Sequence, residues 1–255
     1  MIDIDQFLWK KMDVADEKMG SKLDLRGTNT ELPALNNGLS DLEPTWSKAW
    51  RIPSFRRKLW AGFIVLAVIF TSLPFFFQRI EARDGLFFAD LILQKLPAHN
   101  VSAAVFFLIW SCCLILLVRF YQDPMILLVT LWAYNGVTLV RMACIALISL
   151  NPPADFIPLA DPITNYFYGG HYITHDLFFS GHTTTVFLIF LCLKKNIDRL
   201  YALVSSILLG FLLLIQHIHY SIDVLAAPVF TYAVFRLTLL FTKKEKDLLI
   251  PLHPG

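Results

Sequence analysis

Two short runs place titratable residues inside otherwise hydrocarbon-like sequence: Asp176-Leu-Phe-Phe-Ser180-Gly181-His182-Thr183 and His219-Tyr220-Ser221-Ile222-Asp223. Ionisable groups beside apolar membrane segments are costly, so they mark a functional site by default. The chemistry these residue types support is phosphoryl transfer. The i, i+4 spacing of His219 and Asp223 predicts a shared helical face. The Asp223 carboxylate would then accept a hydrogen bond from one ring nitrogen of His219. That fixes the tautomer and leaves the other nitrogen as a nucleophile. His182 follows Ser180-Gly181 at the expected start of a helix, where unpaired backbone N–H groups favour an anion such as phosphate. A second His beside that phosphate can act as general acid and then general base. Arg141 lies in the outer half of an apolar segment, and its guanidinium fork suits bidentate phosphate binding. Other readings of the same residues stay open. His219 and Asp223 could form a structural contact between helices, and Arg141 could snorkel. His182, His219 and Asp223 could ligate a metal in an intramembrane hydrolase. The polar cluster could also serve as a relay in a transporter. The phosphoryl-transfer reading requires neither metal nor cofactor.

The elements that must position these residues are membrane spans. Of the 255 residues, 56% are hydrophobic and 16% charged, against roughly 25% charged in soluble domains. Mean hydropathy is +0.57. Apolar runs near 59–78, 101–121, 124–150, 179–193, 199–217 and 223–241 approach the ~20 residues that cross a bilayer. The expected fold is an all-α membrane protein with six transmembrane helices. Stretches such as AGFIVLAVIFTSLPFFF show no polar face, which argues against a soluble helical core. The fourth run is the shortest and spans only if it begins near Asp176.

Loop charge predicts orientation. Lys48, Arg51, Arg56, Arg57, Lys58, Arg119, Lys194, Lys195, Arg199, Lys243, Lys244 and Lys246 fall on one side, while Arg79, Arg83 and Lys95 fall on the other. The positive-inside rule then puts both termini in the cytoplasm. Both motifs fall on the opposite, non-cytoplasmic face. Residues 1–58 read as a cytoplasmic extension, partly disordered or interfacial, residues 59–241 as the catalytic domain, and residues 242–255 as a short basic tail. The start of the chain lacks the basic and apolar pattern of a cleavable signal peptide. A net charge of +2 gives no argument for nucleic-acid binding. Cys112, Cys113, Cys144 and Cys192 sit in apolar runs and read as small hydrophobes. The long loop 151–178, rich in Pro, Gly, Tyr and Asp, is a candidate lid or substrate collar.

At these motifs the chain resembles the type 2 phosphatidic acid phosphatase superfamily, and within it the sphingomyelin-synthase-like branch. The branch pattern of an Asp, three residues and Ser-Gly-His-Thr matches Asp176 and Ser180–Thr183. Its His-Tyr-Thr-x-Asp pattern matches His219–Asp223 with Ser221 for Thr. The phosphatases' Lys-x6-Arg-Pro motif is absent, and Leu-Leu-Leu-Ile-Gln-His-Ile stands where they carry Ser-Arg. The branch's Cys-Gly before the Asp is replaced by Thr174-His175. The resemblance implies a six-helix core and a triad with His219 as nucleophile, Asp223 as its orienting partner and His182 as acid/base. It also implies that Arg141, with Asp176, Ser180 and Gly181, binds substrate. The implied activity is a lipid phosphotransferase that uses a phospholipid donor and a ceramide-type acceptor, or a lipid phosphatase or phospholipase C-like hydrolase that uses water.

Overall fold

A computed structural model describes residues 45–153, 155–159 and 176–249. The extension before residue 45, and residues 160–175 of the candidate collar, lie outside them. The described residues are all-α, with one isolated bridge between Leu86 and Leu150.

A short helix α1 (Trp46–Arg51) precedes α2 (Pro53–Glu81), α3 (Ser102–Gln122) and α4 (Pro124–Leu147). Then follow α5 (Gly181–Cys192), α6 (Asn196–Ile215) and α7 (Ser221–Leu249). Proline opens both α2 and α4, where its missing N–H has no intrahelical partner to lose. Asp123 caps α4 by accepting from Met125 N at 2.8 Å. Five helices, α2, α3, α4, α6 and α7, are long and apolar enough to cross a membrane. Their outward residues are bare hydrocarbon, with Phe107 69% and Ile207 68% exposed. A belt of that kind is at home in lipid rather than in water.

The fourth expected span is corrected. Helix α5 has 12 residues, or about 18 Å of rise, well short of the ~30 Å hydrocarbon core. It can be short because protein surrounds it. Thr183, Thr184, Val186, Leu188, Ile189, Leu191 and Cys192 are all buried, and α3, α4, α6 and α7 pack around it.

Cross-contacts sort the helix termini into two ends. At one end Lys58 Nζ meets the fully buried Glu245 carboxylate at 2.7 Å. There too Arg119 pairs with Asp198 at 2.6 Å, and Lys194 pairs with Asp123. Trp46 Nε1 donates to the carbonyl of Tyr121 at 2.9 Å, docking α1 against the end of α3. At the opposite end His99 N donates to Ile215 O at 3.0 Å. Gln216 Nε2 donates to Ser102 Oγ at 2.7 Å, and Leu86 bridges Leu150. The candidate site lies at this second end.

Candidate active site

The second motif is not helical throughout, which corrects the sequence expectation. Helix α6 ends in a left-handed residue, His217, with φ of 55°. Ile218 N reaches back to Leu213 O at 3.2 Å and His217 N to Leu214 O at 3.0 Å, the reciprocal pattern of a Schellman stop. His217 Nε2 also contacts Leu96 O at 3.0 Å. Helix α7 then begins at Ser221, so His219 lies before the helix and not on its face. It meets Asp223 for a different physical reason. Asp223 occupies the third helical position, and its Oδ2 accepts from Tyr220 N at 3.0 Å. That is the backward reach of a capping-box carboxylate. It brings Oδ2 to 3.6 Å from His219 Nδ1. His219 is 2% exposed and Asp223 0%. Nδ1 of His219 and Oδ1 of Asp223 are both buried without a hydrogen-bond partner. The pair therefore stands about half an ångström beyond ordinary N–H···O reach.

The first motif arrives at the same place. Ser180 N donates to Asp223 O at 3.1 Å, which joins the start of α5 to the start of α7. Ser180 Oγ caps α5, accepting from Thr183 N at 3.4 Å and bonding Thr183 Oγ1 at 3.1 Å. These bonds consume the Ser180 and Thr183 N–H groups. The N–H group of Gly181 is a first-turn donor that helix geometry leaves without an intrahelical acceptor. The His182 side chain is half-buried in that first turn.

Arg141 of α4 reaches this helix start. Its Nε donates to Phe179 O at 2.7 Å. Its Nη2 forms an ion pair with Asp176 Oδ1 at 2.8 Å, without the alignment of a hydrogen bond. The guanidinium lies flat against Gly181, where an added Cβ would fall 2.7 Å from Arg141 Cζ. Glycine at this position is what lets the guanidinium approach the helix start. Arg141, Asp176, Ser180, Gly181, His219 and Asp223 thus form one chain of contacts, with His182 inside it in sequence. Among the described residues, no three or more His, Cys, Asp or Glu side chains form a metal-ligand set.

Sequence reasoning missed Asp90. It belongs to the loop between α2 and α3 and is 6% exposed. Its Oδ2 accepts from Ser221 N at 2.6 Å and its Oδ1 contacts Ser221 Oγ at 3.1 Å. Oδ1 also accepts from Ile92 N at 3.0 Å and Leu93 N at 3.1 Å. Burial pushes this carboxyl up, but the bonds from Ser221, Leu93 and Ile92 outweigh it and hold it below the usual range. Asp90 thereby clamps the first turn of α7 next to the His219–Asp223 pair. Burial, with Asp223 and Asp90 adding to it, pushes the Tyr220 phenol up. The neutral hydroxyl donates to Asn151 O at 3.0 Å. No local pattern in the sequence marks Asp90, because the helix it caps lies 131 residues away.

No curated protein matches the chain. Residues 175–240, which run from the Ser-Gly-His helix through most of α7, match the family model described as PAP2 superfamily C-terminal, and this match supports placing the chain in the PAP2 superfamily.

Proposed function

We propose that this chain is a lipid phosphotransferase of the sphingomyelin-synthase-like kind. It moves a phospho-head group from a phospholipid to a lipid alcohol of ceramide type, through a covalent intermediate on His219. The observation that carries this reading is the Ser180 N–Asp223 O bond. It sets the open N-terminus of α5 beside the buried His219–Asp223 pair.

The mechanism follows from the atoms. Nδ1 of His219 faces Asp223, so Nε2 is the attacking nitrogen. Its lone pair forms a bond to phosphorus, and the bond from phosphorus to the diacylglycerol oxygen breaks. His182 gives its proton to that leaving oxygen. The Asp223 carboxylate stabilises the positive charge developing on the imidazole. Arg141 and the N–H group of Gly181 stabilise the equatorial oxygens. In the second half, neutral His182 takes the proton of the acceptor hydroxyl. That oxygen attacks phosphorus, and the bond to Nε2 breaks. Water in place of the lipid alcohol gives a phosphatase or phospholipase from the same residues. Exclusion of water by an acceptor pocket separates the two outcomes.

The test is turnover by purified protein in nanodiscs, with a head-group-labelled phospholipid and with ceramide and water both present. Labelled product on ceramide is expected, together with an alkali-stable, acid-labile label on His219. His219→Ala removes both. His182→Ala slows turnover by roughly 10²–10⁴-fold but still permits slow labelling. Label trapped on another residue, with none on His219, overturns the mechanism. Release to water alone reassigns the enzyme as a hydrolase.

A further inference from the structure

The loop that supplies Asp90 has two faces of opposite character. Residues 84–93 read Asp-Gly-Leu-Phe-Phe-Ala-Asp-Leu-Ile-Leu. The Asp84 side chain is exposed, while polar groups of Gly85, Leu86 and Asp90 face the protein and are engaged. Leu86 N donates to Ser149 O, and Asn151 N donates to Leu86 O, both at 3.0 Å. Asn151 Nδ2 donates to Gly85 O at 2.7 Å, and Gly85 N donates to Asn151 Oδ1 at 3.2 Å. The Phe88 ring packs edge-on against Tyr220 with centroids 5.7 Å apart. Asp90 then grips Ser221 of α7. The apolar side chains face the other way. Leu86 is 77% exposed, Phe87 75% and Leu91 73%, with Phe88 and Ile92 also exposed.

We propose that residues 85–92 form a strap whose outward face seats in the lipid leaflet at the site end of the bundle. The occupant is the boundary between head groups and acyl chains. Three observations commit the proposal to lipid. The strap starts a few residues beyond the end of α2, a helix long and apolar enough to span, so it sits at the height of a bilayer interface. Its exposed face continues the bare apolar surface of the neighbouring helices, marked by Phe75 and Phe107. The exposed stretch Leu86–Ala89 carries no charge, and the one acid beyond it, Asp90, is turned inward. Apolar side chains anchored at such a boundary hold an element at a fixed depth. Through Asp90 that depth is passed to the first turn of α7, so the lipid surface and the His219–Asp223 segment stay in register. The coupling to turnover rests on the function proposed above. The lipid contact does not.

The experiment separates these two parts. Single cysteines replace Phe87, Leu91 and, as a polar control, the exposed Asp84, in a background where the four native cysteines are changed to Ala. Each variant is labelled with bimane and placed in phosphatidylcholine nanodiscs. Emission from positions 87 and 91 is expected to be blue-shifted and quenched by phosphatidylcholine bearing a doxyl group at acyl carbon 5. Emission from position 84 is expected to be quenched by aqueous iodide. Iodide quenching of 87 and 91 without doxyl quenching overturns the proposal. Shielding of both from either quencher, with crosslinking between two copies, also overturns it and makes the face a dimer contact. In the native-cysteine protein, the double variant Phe87→Asn/Leu91→Asn should raise the apparent KM for long-chain bilayer substrate about tenfold. Turnover of a short-chain soluble substrate should not change. If wild-type protein turns over no phospholipid, the function reading falls while the quenching result still decides the strap.

Discussion

Replacing Asp223 by Asn separates catalysis from architecture at one residue. In the folded protein Asp223 Oδ2 accepts from Tyr220 N at 3.0 Å and approaches His219 Nδ1 at 3.6 Å. Its backbone O accepts from Ser180 N. The backbone bond is indifferent to the substitution. The amide oxygen of Asn can take over the bond from Tyr220 N, so the cap of α7 survives. The new NH2 group then occupies the place of Oδ1, a buried atom with no partner. A buried donor left unpaired costs about 1–3 kcal/mol, enough to lower Tm by several degrees without unfolding the bundle. The loss in rate is of another order. Asn carries no charge to stabilise the imidazolium that forms during attack. If its NH2 turns toward Nδ1 instead, it selects the tautomer with the proton on Nε2, which blocks the nucleophile. In a His–Asp catalytic pair this change costs about 10⁴ in kcat, or roughly 5 kcal/mol of barrier at 1.36 kcal/mol per decade. Asp223→Ala removes the cap as well, adding about 1 kcal/mol of instability with no further loss of rate. The assay is head-group transfer in nanodiscs at saturating donor, with Tm and elution volume recorded for each variant. Asp223→Asn running near the wild-type rate would show Asp223 to be only the cap of α7, and the catalytic assignment of the pair would fall with it.

Three further substitutions probe the neighbours. Gly181→Ala puts a methyl 2.7 Å from Arg141 Cζ; the guanidinium must shift, and kcat/KM should fall at least about tenfold, since removing an aligned charge-stabilising donor costs ~10²–10³. Unchanged kinetics in that variant would remove Arg141 from the site. Arg141→Lys keeps the charge but loses the fork, so KM should rise more than kcat falls, and a larger fall in kcat than rise in KM would place Arg141 on the transition state alone. Asp90 gives a pH prediction, because its folded pKa lies below the ordinary 3.8. The stabilisation it supplies is present above that value and is lost as pH falls through the folded pKa. Amide exchange at Ser221 should therefore accelerate on acidification below about pH 4, relative to helix-interior amides. Asp90→Ala, which leaves no side-chain acceptor, should exchange fast at every pH, and a Ser221 amide insensitive to that substitution would refute the clamp.

The sequence reading and the structure agree most where physics is local. Uninterrupted apolar runs specify helices in lipid regardless of partners, so the all-α fold was legible. The meeting of the two motifs was legible too, because segregated charge sorts loops into two groups before any packing is known. The rest depends on non-local geometry. The shared helical face inferred for His219 and Asp223 gave the right neighbours for the wrong reason. The Schellman stop at His217 breaks the chain before the helix restarts, and it is the capping reach of Asp223 that restores the proximity. The length of α5 depends on what surrounds it, and hydropathy cannot distinguish a short helix wrapped in protein from a full span. The glycine of Ser-Gly-His carries the same lesson. Its absent Cβ is required by a guanidinium from another helix, and nothing adjacent in the chain announces that.

The two helix starts that meet at the site are electrostatically unequal, and this asymmetry argues for how a phosphate would sit. The start of α7 is already engaged by two acids, since Asp90 takes the Ser221 N–H and Asp223 takes the Tyr220 N–H. Two carboxylates there repel an incoming anion. The start of α5 carries no acid in its first turn and has the Arg141 guanidinium against Gly181. A helix start with a cation beside it and no acid of its own attracts phosphate, while one that two carboxylates already face does not. His219, the proposed nucleophile, stands just before that start. The phosphate would be drawn to α5 and attacked from the side of α7, so that binding and bond formation fall to different helices. The Ser180 N–Asp223 O bond holds those helix starts together, so in the proposed mechanism the backbone at the start of α5 sets the distance between bound phosphate and His219.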